Sequence, residues 1–160
     1  MQIREAIPAD HAGIWEMLMP VFRAGDSYAI DPDITRDEAL DYWFGGERRV
    51  YVADDAGALI GTYYIVPNQK GGGRHVCNCG YVTAAAAQGR GVARAMLTHS
   101  LALAPRLGFT AMQYNFVLET NHRAIATWEK AGFEVVGRLP GAFAHPGQGA
   151  IDALVMYRHL

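Results

Sequence analysis

Apolar residues recur along this chain with two periods, and the switches between them divide it into elements. Ile14, Met17, Leu18, Val21 and Phe22 fall at i, i+3, i+4, i+7 and i+8, one face of a helix that Pro8 and Asp10 are suited to start. Gly25 to Asp33 is polar with a proline and reads as a loop, and a second short helix is expected from Thr35 to Phe44, with Leu40, Trp43 and Phe44 as its apolar positions. Runs rich in β-branched and aromatic residues follow. Arg48 to Ala53 and Leu59 to Val66 read as strands joined by the hairpin residues Asp54-Asp55-Ala56-Gly57, and a third strand over Arg74 to Thr83 comes after a turn from Pro67 to Gly73. The helical period returns with Val92, Met96, Leu97, Leu101 and Ala104, closed by Gly108. Phe109 to Leu118 alternates, with Met112, Tyr114, Phe116 and Leu118 on one side. Asn121 to Ala131 predicts a short helix with Ala124, Ile125 and Trp128 inward. Phe133 to Gly137 predicts a strand, Leu139 to Gly149 a Pro/Gly-rich loop, and Ile151 to Tyr157 a final strand.

That order of helices and strands predicts an α/β fold on one mixed sheet, in one domain over residues 1–160, because no repeat or linker interrupts it. Hydrophobic residues make up 51% and charged residues 19%, a globular balance. The net charge of −2, with no basic run, excludes an electrostatic footprint for nucleic acid. No window approaches the roughly 18 apolar residues of a membrane span, and the N-terminus has no signal-peptide core. Cys77 and Cys79 are separated by one residue, too close for an ordinary disulfide along a strand; they fit a reducing, cytoplasmic setting and present no metal-ligand spacing.

The most informative segment is Val82-Thr83-Ala84-Ala85-Ala86-Ala87-Gln88-Gly89-Arg90-Gly91-Val92-Ala93, where a strand ends, small residues follow and a helix begins. The first turn of a helix carries amides without internal partners and the positive end of the macrodipole, and small residues let a phosphate approach. Arg90 and Arg94, four apart, are expected on one helix face, where they would add charge-assisted contacts. Glycines alone also fit a plain tight turn. A P-loop is excluded because no Gly-Lys-Ser/Thr follows, and a dinucleotide fingerprint because position 94 is Arg94.

Gln88-Gly89-Arg90-Gly91-Val92-Ala93 resembles the acyl-CoA signature of the GCN5-related N-acetyltransferases (GNAT), Gln/Arg-x-x-Gly-x-Gly/Ala, and the order of elements around it is similar over essentially the whole chain. Asn115-Phe116-Val117-Leu118-Glu119-Thr120-Asn121, followed by Trp128 and Gly132-Phe133, resembles that family's second block. The resemblance implies a GNAT-type mixed sheet of about six to seven strands flanked by about four helices. It implies acetyl-CoA as cosubstrate, with no metal. Tyr81, Val82 and Thr83 would pair with the pantetheine arm, and Gln88, Gly89, Arg90, Gly91, Val92, Ala93 and Arg94 would hold the pyrophosphate, with Asn121 and Trp128 bordering the thioester. A departure is Trp128, which stands where many members carry a tyrosine that protonates the leaving thiolate; indole is no acid, so the thiolate would take its proton from water or from the nascent product's ammonium, and Trp128 also fits a plain core position.

Asn78, Asn115 and Asn121 further resemble a branch that includes the fungal L-azetidine-2-carboxylate N-acetyltransferases, in which three asparagines line the acceptor site. The implied reaction is attack of a small-molecule amine on the thioester through a tetrahedral oxyanion, stabilised by amides near Tyr81 or Val82. Catalytic candidates are Asn78, Asn115, Asn121 and Glu119, with Glu119 and His75 the nearest to a general base and ordered water on Asn78 and Asn121 the preferred route for the proton. Tyr28, Asp31, Asp33 and Trp43, and the segment from Ala142 to Gly149, are expected to wall the acceptor pocket. A non-catalytic acyl-CoA sensor and a protein N-terminal or lysine acetyltransferase are the alternatives, and a homodimer fits the resemblance.

Overall fold

The computed structural model describes all 160 residues. In chain order the elements are β1 (Gln2–Glu5), α1 (His11–Ala24), α2 (Arg36–Phe44), β2 (Arg49–Asp55), β3 (Ala58–Pro67), β4 (Val76–Thr83), α3 (Val92–Arg106), β5 (Ala111–Leu118), α4 (His122–Lys130), β6 (Glu134–His145) and β7 (Gly149–His159). The strands form one 7-stranded sheet in the order β1-β2-β3-β4-β5-β7-β6. All neighbours run antiparallel except β4 and β5, which are parallel.

Strand alternation splits the apolar side chains between two faces. Val50 and Val52 of β2, Tyr64 of β3 and Val82 of β4 pack against Ile14, Met17, Leu18 and Phe22 of α1 and Ala39 and Trp43 of α2. Their neighbours Tyr51, Ala53, Tyr63, Ile65, Cys77 and Cys79 face the other way, onto Val92, Met96, Leu97 and Ala104 of α3, and Trp128 of α4 packs at that core's margin. The helix starts have local causes. Thr35 accepts from the Glu38 amide while Glu38 accepts from the Thr35 amide, a reciprocal cap for α2. Asn121 caps α4 through the Ala124 amide.

Three expectations are corrected. β1 went unread because four residues, QIRE, carry no measurable period; it joins the sheet by pairing with β2. The segment from Leu139 to Gly149 is not a loop but the distal half of the β6–β7 hairpin, with Phe143↔Ile151 and His145↔Gly149 in register. Pro140 and Gly141 fall in its register shift between Leu139 and Phe143, and β6 is the sheet's edge strand, where a missing N–H costs no ladder bond. Trp43 is wholly buried, with its indole donating to Thr62 Oγ1 at 3.1 Å, so it braces the core rather than walling a pocket. Cys77 and Cys79 are both free and buried.

Candidate active site

The site follows from one defect in the sheet. β4 and β5 pair only at Val76↔Ala111 and Cys77↔Met112; beyond that the two strands part. β5 still follows β7, but its register shifts between Tyr114 and Val117, and Asn115 and Phe116 sit in that irregularity. The Val76 carbonyl accepts from Asn68 N at 2.8 Å and the Ala84 amide donates to Ile60 O at 3.0 Å, so the even-numbered residues of β4 turn their backbone groups to β3. Their odd-numbered neighbours, Cys79, Tyr81 and Thr83, therefore direct N–H and C=O into the gap. The Tyr28 hydroxyl uses one of these, donating to the Tyr81 carbonyl at 2.9 Å. By the same alternation the Val82 amide faces β3, which corrects its expected place at an oxyanion.

Two cavities open along the gap. The first, about 490 Å³, lies between the end of β4, the N-terminus of α3 and the outer side of α4. Gln88, Gly89, Gly91, Val92, Ala93 and Arg94 border it, with Arg123 opposite. Gly89 and Gly91 hold φ of 79° and 80°, left-handed values that favour glycine, and an added Cβ at either would meet nothing within 4 Å. The first helical hydrogen bond runs from Ala95 N to Gly91 O, and the amides of Gly89, Gly91, Val92, Ala93 and Arg94 have no backbone acceptor. Free amides and the macrodipole thus face open space that Arg94 and Arg123 also border, the chemistry a diphosphate needs. Arg90 does not join them: it precedes α3, does not border the cavity, and its guanidinium pairs with Asp55 at 2.7 Å. This corrects its expected position beside Arg94.

The second cavity, about 290 Å³, lies deeper in the gap on the α1/α2 side. Tyr28, Tyr42, Tyr64, Phe116 and Trp128 supply aromatic walls, and Asn78, Asn115 and Asn121 all border it. Gly80 makes room for the Tyr64 ring, since a Cβ there would lie 2.6 Å from a ring carbon. Asn115 is fixed at both ends of its amide, donating to Asn68 Oδ1 at 2.6 Å and accepting from Gln113 Nε2 at 2.9 Å. Asn121 accepts from Ala124 N at 3.3 Å, which leaves its NH2 group free. No Asp, Glu, Lys, Arg or His lines this cavity. Cys79 borders it too, but its side chain turns to the α3 face, and burial followed by its contact with Cys77 pushes the thiol pKa well up, so it stays protonated.

Glu119 borders neither cavity. Its carboxylate accepts from Asp152 N at 2.8 Å and pairs with Arg138 at 3.1 Å, which ties the root of the β6–β7 hairpin to the end of β5. His75 is exposed just before β4. Asp31, Asp33 and the segment from Ala142 to Gly149 also lie outside both linings, whereas Tyr28 borders both. Trp128 borders both as well, with ring centroids 5.4 Å from Tyr81 and 5.0 Å from Tyr114.

A family model described as Acetyltransferase (GNAT) family matches residues 12–133. An N-acetyltransferase, aca1, of Schizosaccharomyces pombe (strain 972 / ATCC 24843) is 31% identical over 152 residues, which cover 84% of this chain and 73% of that protein. This chain belongs to the GNAT acetyltransferase family. A GCN5-related N-acetyltransferase from Kribbella flavida superposes on it with a TM-score of 0.95 and 40% identity, over 99% of this chain and 97% of that one. YncA, a putative acetyltransferase from Salmonella typhimurium solved with acetyl-CoA, shares the fold with a TM-score of 0.88 at 23% identity, over 100% of this chain and 94% of its own. This GNAT protein is accordingly an acetyl-CoA-dependent N-acetyltransferase with a seven-stranded mixed sheet and four helices. No helix in it is long and apolar enough to cross a membrane.

Sequence reasoning missed Tyr42, Tyr64, Asn68 and Arg123. Tyr42 and Tyr64 stand on elements read only for their apolar positions and Asn68 in a segment read only as a turn; Arg123 follows directly from the α4 cap at Asn121 and was within reach.

Proposed function

We propose that this acetyltransferase acts on a small amine that carries no net charge when it enters, such as a zwitterionic amino acid or a cyclic proline analogue. The observation that carries this reading is the cavity of about 290 Å³ lined by aromatic rings and three asparagines, with no ionised side chain. A lysine side chain or a polyamine would lose hydration there without a carboxylate in return, a cost of several kcal/mol. Asparagine offers both donor and acceptor, so Asn78, Asn115 and Asn121 suit a carboxylate on one side and an amine on the other.

Acetyl-CoA, when bound, supplies the activated acetyl group. In this reading the amides of Gly89, Gly91, Val92, Ala93 and Arg94, with Gln88 and the Arg94 and Arg123 side chains, hold the diphosphate. The open edge of β4 at Cys79, Tyr81 and Thr83 receives the pantetheine amides. Asn121 and Trp128 close the corridor where the two cavities meet. Binding both partners in one gap supplies proximity, and the Cys79 or Tyr81 N–H is placed to take developing negative charge. No carboxylate or histidine borders the acceptor, so the amine's proton leaves through water held by Asn78 and Asn121.

The test is release of free thiol from acetyl-CoA with a panel of acceptors: L-azetidine-2-carboxylate, proline analogues, neutral and acidic amino acids, polyamines, and peptides with free N-termini or lysines. The highest kcat/KM should fall on a zwitterionic amino acid, and Asn78→Ala should raise KM for it by about 10-fold or more, the loss of one buried hydrogen bond. Preferred turnover of a peptide or polyamine would overturn this acceptor class.

A further inference from the structure

We propose that Tyr28, from the loop between α1 and α2, is the catalytic proton donor to the sulfur of the departing coenzyme. The argument is one of place and elimination. Six residues border both cavities: Ser27, Tyr28, Tyr81, Asn121, Ala124 and Trp128. They mark the point where a donor lying along β4 meets an acceptor seated beside Asn78, and so where the scissile C–S bond must sit. Trp128 has no acidic proton, and neither Asn121 nor Ala124 has one. The Tyr81 hydroxyl points to the α3 side, where it is shared with Ser100 Oγ at 2.7 Å and Tyr114 Oη at 3.1 Å. Ser27 is an aliphatic alcohol, far weaker as an acid than a phenol. Tyr28 remains, and its hydroxyl already stands at the open edge of β4, on the Tyr81 carbonyl at 2.9 Å.

The surroundings keep that hydroxyl loaded and aimed. Phe22 packs edge-on against the Tyr28 ring at 5.6 Å and Trp43 at 6.1 Å, both residues of the buried core, so the ring has little freedom. Burial, followed by the phenols of Tyr64 and Tyr42, pushes its pKa well up, so the hydroxyl rests protonated; the same burial makes a thiolate released beside it more basic, which offsets the weaker acidity of the phenol. The only charged residues in either lining are Arg94 and Arg123, on the donor side; no carboxylate or histidine competes for the role.

In the step, the C–N bond to the amine forms and the C–S bond breaks with its electron pair left on sulfur. The Tyr28 proton passes to that sulfur and yields the free thiol. The proton on the newly acylated nitrogen then returns to the Tyr28 oxygen through water, so phenol is regenerated and the net change is one proton moved from nitrogen to sulfur. The Tyr81 carbonyl holds the hydroxyl in wait.

The experiment compares wild type with Tyr28→Phe, using hydroxylamine as acceptor so that the outcome does not depend on the natural acceptor class. Two quantities are read. The first is the pKa of the thiol of bound CoA, from thiolate ultraviolet absorbance. Removing the donor should raise it by about one unit or more, as expected for loss of a hydrogen bond to an anion. The second is turnover with acetyl-CoA against acetyl thioesters of more acidic thiols. The variant should lose about 100-fold or more with acetyl-CoA, and progressively less as the leaving thiol becomes more acidic and needs no proton. A variant that binds CoA normally but leaves the thiol pKa unmoved, or loses the same factor with every leaving group, would show that Tyr28 only braces the Tyr81 carbonyl, and would overturn the proposal. Tyr28→Leu, which keeps an apolar side chain in the ring's place, should match Tyr28→Phe in both readings.

Discussion

Asp10 is the one acidic side chain among the buried residues. Its carboxylate takes Arg4 Nη1 at 2.7 Å and Nη2 at 2.9 Å, and accepts the Ile7 amide at 2.8 Å. Arg4 then reaches Asp54 on β2, so one carboxylate fastens the entry to α1 onto the β1–β2 edge. The hydrogen bonds from Arg4 hold the Asp10 pKa below the ordinary carboxylate value. A group depressed in the folded state contributes its full stability above its unfolded pKa and loses it as pH falls through the folded value. Wild type should therefore weaken steeply below about pH 4, and Asp10→Asn should be about 1.5–3 kcal/mol less stable at pH 7 with a shallower acid limb. Urea melts at pH 7 and pH 3.5 measure both; parallel losses in the two proteins on acidification would remove Asp10 from the account. At the acceptor cavity the sharpest single residue is Gly80, lying under the Tyr64 ring. Gly80→Ala should displace that ring, cost about 1–3 kcal/mol by overpacking, and raise the acceptor KM while acetyl-CoA binding is kept, which equilibrium titration of each ligand resolves.

Elements with many residues on one period were legible in the sequence: α1, α3 and β2 through β4 stand where their apolar spacing puts them, whereas in β5 the register shift after Tyr114 breaks the expected alternation, so that Val117 packs with Met112 and Tyr114 while Phe116 and Leu118 join another cluster. The turn that opens α3 was legible too, because small residues and a glycine pair mark where β4 ends and the helix begins. What escaped was non-local. The β6–β7 hairpin contains Pro140, Gly141, Gly147 and Gly149, each a turn signal by itself; Gly147 does lie in the hairpin's turn, but only the register shift beside β7 shows how a strand absorbs Pro140 and Gly141. That misreading explains the one for Glu119. Arg138 and Asp152 flank it only because the hairpin brings them together, so the sequence offered a free carboxylate where the fold has a tied one. Arg90 misled for a similar reason, since its partner Asp55 lies at the end of β2, far away along the chain. The distal hairpin is held by the small cluster of Leu118, Ile151 and Ala153 with Phe116 and Phe143 packed on it. Phe143→Ala should expose the amides of residues 141–150 to hydrogen exchange and cost less than the about 3–5 kcal/mol of a fully buried phenylalanine. Stabilisation by acetyl-CoA should stay unchanged, because Phe143 lies away from the donor cavity.

For the molecule as a whole, the parted strands tie the fold to its ligand: the open edge of β4 and the free amides of α3 are satisfied by protein only in part. A ligand that completes them binds the native state alone, so the entire fold should report it by mass action. At free acetyl-CoA near 100 times its Kd the stabilisation is about 2.7 kcal/mol. For a chain of this size that is a rise in Tm of roughly 5–11 °C. Gly91→Val sets a β-branched residue at φ 80°, in front of the free amides, and should both lower the basal Tm and abolish the ligand-induced rise. Strain alone cannot produce that second effect, and Gly108→Val shows why. Gly108, just beyond the other end of α3, holds φ 90° with open space around it, so the substitution imposes a similar backbone penalty far from the cavity. Its basal Tm should fall by a comparable amount and its response to acetyl-CoA should survive intact. If thermal scans with and without acetyl-CoA found both variants still responsive, the amides at the start of α3 would not be what holds the diphosphate.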